Sequence, residues 1–529
     1  MSITTSYPGV YVQELPSLAH AVTPAPTSVT VFVGYTHPFL TKNFGVAVEL
    51  FSFADYLTNF GGFFSSPWLP DYVGNAVFQF FQNGGADCYV VGVQPTAYWD
   101  DSTVPATNEG AVQQATAVIN NGGDTITFTA LQPVGVQTGV GIPMTVQLLN
   151  VTQTTNPDDT ADVLLTYGTQ VEMYRKVQIG TLVTKLQASS LATAALSNPA
   201  MDYPSPPPAA TAFQYTTAPT TPSATYTIIN LPDVAAAFTA GGSLDKVPIF
   251  NLLVTPGITD PSVTADAIAF CEEKRAFYIM DTPSSASTGW DANSVVQDIA
   301  TSTALVPPVP SSINAAIYYP WLVTTDPVTG AASTAPPSGF VAGMYAQEDA
   351  NRGVWKSPAG IETTLLGTTG VEPNGVMNDA MQGVLNPQAI NCLRQFPGIG
   401  TVIFGARTTA GADNAAQPQW KYLAVRRMAL FIEQSLYASL KWAVFEPNAT
   451  PLWQALTQEV TAFMLSLFRQ GAFAGDTPST AFVVQCDSTT TTQNDVALGR
   501  VNVLVGFAPL EPAEFVIIQI SQLAGQAQS

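Results

Sequence analysis

The chain has 529 residues, of which 46% are hydrophobic and only 10% are charged, and its 38 acidic against 17 basic residues leave a net charge of −21. The scarcity of Lys and Arg excludes nucleic-acid binding through a basic surface, and the apolar content excludes general disorder. We expect no membrane span, because no apolar run reaches about 18 residues, and no secretion leader, because the first residues lack a basic start and an apolar stretch. At about 100–200 residues per domain, the length predicts three or four domains.

The charge is unevenly distributed along the chain. Residues 1–350 carry a net charge of −19, and residues 351–529 carry a net charge of −2. Two explanations are open. Either the composition drifts along the chain, or the acidic part faces solvent while the nearly neutral part faces a partner.

Residues 7–14 form a predicted short strand after a Pro-Gly turn. Val10 and Val12 alternate with Tyr11 and Gln13, which is typical of a strand. Residues 15–28 contain three prolines and predict an extended linker, not a hairpin turn. The strand therefore has no partner nearby in the sequence.

Residues 29–94 predict the first part of an α/β domain. An apolar strand over 29–35 precedes a helix over 72–82, which ends at Asn83-Gly84-Gly85, and a second apolar strand covers 88–93. A strand, a helix and a strand in this order are typical of an α/β unit.

Residues 95–245 interrupt this pattern and predict an inserted, β-rich, variable outer domain. Thr-rich segments at 124–131 and 144–151 have the character of strands. Residues 186–225 turn to Ala, Ser, Thr and Pro, with Asp202 as the single charge. We interpret them as a low-complexity return path to the α/β domain.

Residues 246–339 resume the α/β pattern and predict the second part of that domain. The predicted elements are a strand and loop at 247–257, a helix at 264–275, and strands at 276–283 and 315–319. The sequence therefore predicts a multidomain, mixed α/β (α+β) protein.

Residues 340–529 are the most regular part and predict the C-terminal domain. A helix over 420–445 precedes a helix over 451–470, for which Thr450 is the predicted N-cap and Pro451 the first residue. Further strands are predicted at 481–486, 500–507 and 514–521, the second of them with Val501, Val503, Val505 and Phe507 on one face.

Metal-binding and general-base residues are sparse. The four cysteines are far apart and form no CxxC pair, so we expect buried, reduced thiols and no metal site. The two histidines, His20 and His37, lie near prolines in the N-terminal region. A preorganised general base is not expected there.

No catalytic signature is complete. The sequence has no GxSxG elbow, no HExxH helix and no phosphate-binding loop that ends in Lys and Ser or Thr. The glycine-containing segments at 139–141 and 396–400 are predicted turns, and the carboxylate pairs Asp100/Asp101 and Asp158/Asp159 are predicted solvated loop charges. We therefore expect no enzyme activity and no cofactor.

The chain carries a predicted strand near each end, and the proline-containing linker separates the first from its own fold. An isolated strand of about five or six residues is not stable in water, so each must pair with something. Pairing with its own sheet and donation to the sheet of a neighbouring subunit are both open. Head-to-tail donation makes rings or helical filaments.

Several segments, in this order, resemble the sheath proteins of contractile phage tails and related injection systems. Part of the resemblance lies in YPGVYVQE (7–14), TSVTVFVGYT (27–36), NGGADCYVVGV (83–93) and the loop NRGVWKSPAG (351–360). The longest match runs over 386–521 and includes WKYLAVRRMALFIEQSL, FEPNATPLWQAL and RVNVLVGFAPLEPAEFVIIQI. Residues 95–245 lie outside the resemblance.

The resemblance implies a homo-oligomeric sheath, helical or of stacked rings, around an inner tube, with baseplate and terminal cap proteins as further partners. Terminal strands from neighbouring subunits would complete a small sheet in each C-terminal domain. The residues implied in donation are Tyr7, Pro8, Gly9, Val10, Tyr11, Val12 and Glu14 at one end, and Glu514, Phe515, Val516, Ile517, Ile518 and Ile520 at the other. The C-terminal domain would face the tube, and the insertion would face outward.

The implied function is mechanical. The sheath would assemble in an extended, metastable state and, when triggered, rearrange into a lower-energy packing that drives the tube through a membrane. Assembly would take place in the bacterial cytoplasm, as part of a phage tail or of a headless injection particle. The opening segment and the GVWKSPAG loop are closer to the injection particle.

Arg426 and Arg427 are the adjacent basic residues of the predicted helix over 420–445. Solvation or pairing within the chain is one explanation of their charge. The other is a contact with the tube or with a neighbouring subunit.

Two other classes of protein stay open. A capsid or baseplate structural protein shares the low-charge, Thr-rich composition, but it should lack the full series of C-terminal motifs. A carbohydrate-active domain within residues 95–245 would need carboxylates that converge in a cleft.

Overall fold

The computed structural model describes residues 21–100, 107–135, 141–154, 158–216, 226–227, 229–287, 289–302, 311–413 and 417–519. The chain divides into two compact units. The central unit is Pro26–Arg427, and the C-terminal unit combines the described residues of Met1–Ala25 and Met428–Ser529.

The described residues form strands throughout both units. In chain order they are β1 (Thr30–Tyr35), β2 (Ala47–Leu50), β3 (Cys88–Val93), β4 (Ala97–Asp100), β5 (Thr107–Ala111), β6 (Thr116–Asn121), β7 (Asp124–Ala130), β8 (Met144–Thr152), β9 (Thr160–Tyr167), β10 (Gln170–Gln178), β11 (Ala192–Leu196), β12 (Thr211–Ala212), β13 (Tyr226–Thr227), β14 (Leu252–Val254), β15 (Phe277–Asp281), β16 (Ala315–Tyr319), β17 (Leu322–Thr325), β18 (Ala332–Ala335), β19 (Gly370–Val371), β20 (Ile390–Phe396), β21 (Gly400–Ile403), β22 (Phe482–Gln485) and β23 (Leu504–Phe507).

The helices alternate with these strands. In chain order they are α1 (Phe53–Phe60), α2 (Tyr72–Gln82), α3 (Leu182–Leu186), α4 (Leu231–Ala235), α5 (Pro261–Lys274), α6 (Ala292–Ser302), α7 (Ser338–Arg352), α8 (Asp379–Leu385), α9 (Leu423–Ser439), α10 (Thr450–Arg469), α11 (Pro478–Ala481) and α12 (Gln493–Ala497). None of them is long and apolar enough to cross a membrane.

The central unit is built on an eight-stranded sheet in the order β2-β3-β1-β14-β15-β16-β20-β21. The inner strands are parallel, and the edge strands β2 and β21 run antiparallel to their neighbours. Strands covered on both faces are apolar nearly throughout, which is why β1, β15 and β16 are conspicuous in the sequence.

Helices cover both faces of this sheet. Phe32 of β1 meets Phe80 of α2 on one face, with ring centroids 5.5 Å apart. Val31 and Val33 belong to the large core that also contains Ala267 of α5. Because successive strand residues point to opposite faces, Val31 and Val33 lie on the face of β1 opposite to Phe32 and α2.

Asp281, at the end of β15, holds the N-terminus of α7. Its Oδ1 accepts the Ser338 N–H at 2.9 Å, and its Oδ2 accepts the Ser338 hydroxyl at 2.6 Å and the Gly257 N–H at 3.0 Å. Helix α7 packs closely on α2, since a Cβ added at Gly339 would lie 2.5 Å from the Ala76 Cα. The buried carboxylate of Asp281 thereby joins β15 of the main sheet to α7, and α7 in turn packs on α2.

Between β3 and β14 the chain forms three small antiparallel sheets, β10-β9-β8-β12, β11-β7-β6 and β13-β4-β5. Their strands all lie inside the range 95–245 of the predicted insertion. Phe128, Val146 and Leu165 of these sheets are fully buried in the same large core as β1. The β-rich character of this region therefore agrees with its Thr-rich alternation.

The main sheet extends past the predicted domain boundary at residue 340. Strand β20 pairs with β16 of the central unit, and β21 pairs with β20. The division between units falls after Arg427, inside α9. The predicted C-terminal domain over 340–529 is therefore corrected, because sequence order alone does not reveal which sheet a strand joins.

The C-terminal unit contains the rest of α9, the helices α10 to α12 and the strands β22 and β23. Leu452, Leu456 and Cys486 form a small core there, against which Val501 packs. The prediction of Thr450 as N-cap is wrong. Helix α10 begins one residue earlier, so Ala449 is the N-cap, and it has no side-chain oxygen to offer.

The predicted burial of the cysteines is confirmed. Cys88, Cys271, Cys392 and Cys486 are all buried and free. Burial raises the pKa of Cys392 to about 12, so its thiol stays protonated at neutral pH. These side chains act as small apolar groups of the core.

Candidate functional site

Strands β22 and β23 form a two-stranded sheet in the C-terminal unit. They pair from Phe482 opposite Phe507 to Gln485 opposite Leu504. In the part of the chain that the structure describes, no third strand adjoins either one. A sheet of two strands is marginally stable in water, and each outer edge can receive another strand.

The two faces of this sheet differ. Phe473 covers one face, with its ring 6.1 Å from that of Phe482 and 5.7 Å from that of Phe507. Val483 and Leu504 share the other face and are 50% and 53% exposed. Each edge of the sheet therefore borders an apolar surface that a further strand can extend.

Residues 508–519 follow β23 without regular secondary structure. Their apolar run is solvated, since Phe515, Val516, Ile517 and Ile518 are 72%, 80%, 83% and 79% exposed. The predicted strand over 514–521 thus does not form within the single chain. Residues 514–519 belong to no sheet of the described chain, and Ile520 lies outside the described residues.

The other predicted donor strand, Tyr7, Pro8, Gly9, Val10, Tyr11, Val12 and Glu14, lies outside the described residues. The linker behind it is described from residue 21 onward. Its Thr23 and Ala25 N–H groups donate to Ser439 Oγ at 3.0 Å and to Ser435 Oγ at 2.9 Å. Because residues four apart share a helix face, the linker runs along one face of α9.

Arg426 and Arg427 both have partners within the chain. Arg426 donates from Nε to Asn314 Oδ1 at 2.8 Å. Arg427 is only 4% exposed and forms two hydrogen bonds, of 2.9 Å and 2.5 Å, with the two carboxylate oxygens of Asp349. Intrachain pairing therefore accounts for both, and a contact of Arg427 with a tube or neighbour would first have to break this pair.

The His37 side chain and the glycine-containing segment at 396–400 have structural roles among the described residues. No group of His, Cys, Asp and Glu that could hold a metal ion occurs among the described residues. Burial lowers the pKa of His37 to about 4, so the neutral ring accepts backbone N–H groups at Nδ1. Gly398 and Gly400, with φ of +76° and +108°, lie at the turn between β20 and β21, which confirms the turn predicted at 396–400.

Of the two carboxylate pairs, Asp158/Asp159 is described, whereas Asp101 and the Asp100 side chain lie outside the described part of the chain. Asp158 is exposed and accepts a hydrogen bond from Gln178 at 3.2 Å, as a solvated loop charge does. Asp159 is 1% exposed and accepts the Thr154 N–H at 2.6 Å, so its predicted solvation is wrong. Sequence spacing does not reveal this contact.

Two domain families match the chain in succession. The phage tail sheath protein central domain matches residues 243–409, and the phage tail sheath C-terminal domain matches residues 415–522. Together they cover just over half of the chain. The chain belongs to the phage tail sheath family.

Two relatives are named as sheath proteins. A prophage major tail sheath protein of Pseudomonas aeruginosa (strain UCBPP-PA14) is 26% identical over 280 residues, which are 51% of this chain and 65% of that protein. The tail sheath protein of Burkholderia phage BcepMu is 31% identical over 169 residues, 31% of this chain and 35% of the relative. The alignments thus span about two thirds and about one third of these sheath proteins.

A solved structure agrees with the fold of the sheath family. The PVC sheath complex of an extracellular contractile injection system, in its contracted state, is similar with a TM-score of 0.56 and 24% identity. The alignment covers 98% of this chain and 99% of that one. The chain thus has the mixed α/β, multidomain fold of a sheath subunit.

Sequence reasoning missed the serines that hold the linker. Ser435 and Ser439 lie on α9, far along the chain from Thr23 and Ala25, and their role depends on that long-range approach. The available signal was weak. Two serines four residues apart lie on one face of a helix, where their hydroxyl groups can bind a neighbouring segment.

Proposed function

We propose that this chain is a structural subunit of a contractile tail sheath, which polymerises around an inner tube and contracts to drive that tube through a target membrane. The observation that carries the proposal is the exposed apolar run over 515–518 beside an open two-stranded sheet, in a member of the sheath family. A strand-exchanging polymer needs both parts, a strand to give and an edge to receive one.

The joint between subunits is strand exchange in the C-terminal unit. Residues 514–520 of one subunit and residues 7–14 of another add to β22–β23 of a neighbour. Phe515 and Ile517 then point to one face of the completed sheet, and Val516 and Ile518 to the other. Burying a large apolar side chain contributes about 1.5–3 kcal/mol, so burial of the exposed run supplies most of the free energy that holds neighbouring subunits together.

Contraction requires joints that persist while subunits move. The linker is held to α9 by hydrogen bonds to Ser435 and Ser439, each with a net value of about 0.5–1.5 kcal/mol. These hydrogen bonds together contribute less than the burial of the four apolar side chains of residues 515–518 at the joint. The linker therefore detaches and reorients first, while the exchanged strands stay paired.

Partners and location follow from this function. The subunit binds copies of itself, the inner tube protein, and the baseplate and terminal cap proteins. It is made and assembled in the bacterial cytoplasm and becomes part of a phage tail or a phage-tail-like injection particle. The inserted domain and the acidic residues 1–350 face outward, which is supported by the concentration of net charge there.

Deleting residues 1–14 tests the proposal. The shortened chain should fold as a soluble subunit with unchanged circular dichroism, yet form no tubes when mixed with the inner tube protein, because one exchanged strand is missing. Negative-stain electron microscopy gives the readout. Deleting residues 522–529, which lie beyond the predicted strand over 514–521, is the matched control and should leave tubes intact. Normal tubes from the first deletion would contradict the proposal.

A further inference from the structure

The chain passes between its two units twice, at Ala25–Pro26 and at Arg427–Met428. Within the central unit, a hydrogen bond joins the residues next to these two crossings. Arg427 donates from Nη2 to the Thr27 carbonyl oxygen at 3.0 Å. We call residues 1–25 the N-terminal arm. The guanidinium group of Arg427, near the start of α9, thus binds the backbone just after this arm.

Arg427 is itself held rigidly. Its two terminal nitrogens bind the two oxygens of Asp349 on α7, and its guanidinium lies 4.7 Å from the ring centroid of Tyr345. The Tyr345 hydroxyl is hydrogen-bonded to the Tyr318 hydroxyl of β16 at 2.5 Å. A planar fork that binds a carboxylate through two bonds has one preferred orientation, so the Thr27 carbonyl meets a donor fixed to the main sheet.

A buried ion pair of this kind is not explained by stability alone. Desolvation of the two charges offsets much of their attraction, and apolar replacements of such pairs are often equally stable. What an ion pair adds is a defined geometry at one place. Here that place is the point where the N-terminal arm leaves the central unit.

Asn251 holds the same segment from a second side. Its Nδ2 donates to the Pro26 carbonyl at 2.8 Å, and its Oδ1 accepts the Val29 N–H at 3.0 Å. Residues 26–29 are therefore fixed at three backbone groups just before β1. N-terminal to Pro26, the hydrogen bonds described to α9 join Thr23 to Ser439, at an exposed place, and Ala25 to Ser435, at a half-buried one.

We propose that Arg427, together with Asp349 and Asn251, is the fixed anchor of the strand-donating arm. The arm swings only N-terminal to Pro26, and tension on its donated strand passes through Arg427 into α7 and the main sheet. The inference rests on the proposed strand exchange and assigns Arg427 as a positioning residue. If residues 26–29 came loose, the arm would gain about 14 Å of reach, at about 3.5 Å per residue, and would no longer select one neighbour.

The test uses the full-length double variant R427M/D349N, which removes both charges and leaves none unpaired. The matched control is R407M. Arg407 is also buried and ion-paired, with Asp413 at 2.9 Å, but no contact described for it reaches residues 26–29. Three quantities are measured: the melting temperature, hydrogen exchange of the amides in residues 26–30, and the yield of tubes with the inner tube protein.

The double variant should melt no lower than R407M, exchange the amides of residues 26–30 at least tenfold faster than the wild type, and give at least tenfold fewer tubes of regular length. R407M should keep wild-type exchange and wild-type tubes. Wild-type exchange and tubes in the double variant would overturn the anchor, and so would an equal loss of tubes in R407M, because general stability would then explain it.

A second variant covers the case in which the double variant does not fold. R427K keeps a positive charge beside Asp349 but lacks the planar fork, so it should fold, loosen residues 26–30 and lower the tube yield. Wild-type behaviour of R427K would overturn the anchor. If the wild-type chain makes no tubes at all, the proposed function fails, whereas the exchange measurement on the isolated subunit still decides the anchor.

Discussion

The central and C-terminal units differ in whether the edges of their sheets are covered by the chain itself. In the central unit, the Ala47 N–H of β2 donates to Ser243 Oγ at 2.7 Å. Near the other edge, Gly360 and Leu365 donate to carbonyl oxygens of β21. The small sheet β22–β23 has no such cover among the described residues, and the apolar run over 515–518 beyond it is solvated.

This difference separates a sheet whose edges are covered by its own chain from a sheet whose edges can receive strands of a neighbour. A sheet whose edges are covered by its own chain gains nothing from a second copy. A two-stranded sheet with an apolar face and a loose apolar segment gains both hydrogen bonds and burial from one. The C-terminal unit is therefore where we expect the polymer to form.

The largest expected effect comes from two phenylalanines, one in each unit. Phe32→Ala should destabilise the subunit by about 3–5 kcal/mol, because it empties a fully buried site in the main sheet. Phe515→Ala should change stability by less than about 0.5 kcal/mol, because Phe515 is solvated in the subunit. Urea denaturation measures both. An equal loss of unfolding free energy in the two variants would contradict the difference in burial between Phe32 and Phe515.

A smaller effect is expected from pH and concerns the central unit. Burial raises the pKa of Asp71, which caps α2, to about 7. The folded state thus binds a proton that the unfolded state has released above about pH 4, so this group's contribution to stability is lost as pH rises from about 4 to 7. Asp71→Asn cannot ionise, and its free energy of unfolding should gain up to about 4 kcal/mol on the wild type over that range.

Asp71→Asn also has a cost that does not depend on pH, because an amide cannot accept from both Phe64 and Gly74 as the carboxylate does. The informative quantity is therefore the change in the difference between the two proteins with pH, measured by urea denaturation at several pH values. Parallel profiles would show that Asp71 does not titrate as its burial implies.

The smallest expected effect on the subunit is at the exposed face of β22. Val483→Lys should leave stability within about 0.5 kcal/mol, because the side chain is half exposed, but it should reduce tube formation by placing a charge where the completed sheet packs. Val171→Lys is the control and should leave tubes unchanged, because Val171, in β10 of the insertion, is also at least half exposed but lies far along the chain from β22–β23. Equal tube yields in the two variants would argue against β22–β23 as the joint.

Much of the central fold was predictable because its signals are local. The helix over 72–82 and the strands at 88–93 and 315–319 are confirmed at the predicted bounds. Apolar runs and a Gly-Gly stop are read directly from the sequence. The long-range pairings were not predictable, and β20 joining β16 is the clearest case.

The candidate site shows the same limit. The sequence predicted a strand over 514–521 and left open whether it pairs with its own sheet or with a neighbour's, and in the described part of the chain its residues 515–518 are an exposed apolar run that belongs to no sheet. It left the role of Arg427 open, because Asp349 and Thr27 lie far from it along the chain. Only the folded structure brings these groups within hydrogen-bonding distance.

The most direct test of strand exchange is an electron cryomicroscopy map of the assembled wild-type polymer. The account predicts that residues 514–520 of each subunit form a strand paired with β22–β23 of a neighbouring subunit, with residues 7–14 of another subunit in the same sheet. A map in which residues 514–520 stay unpaired, or fold back onto β22–β23 of their own chain, would contradict it.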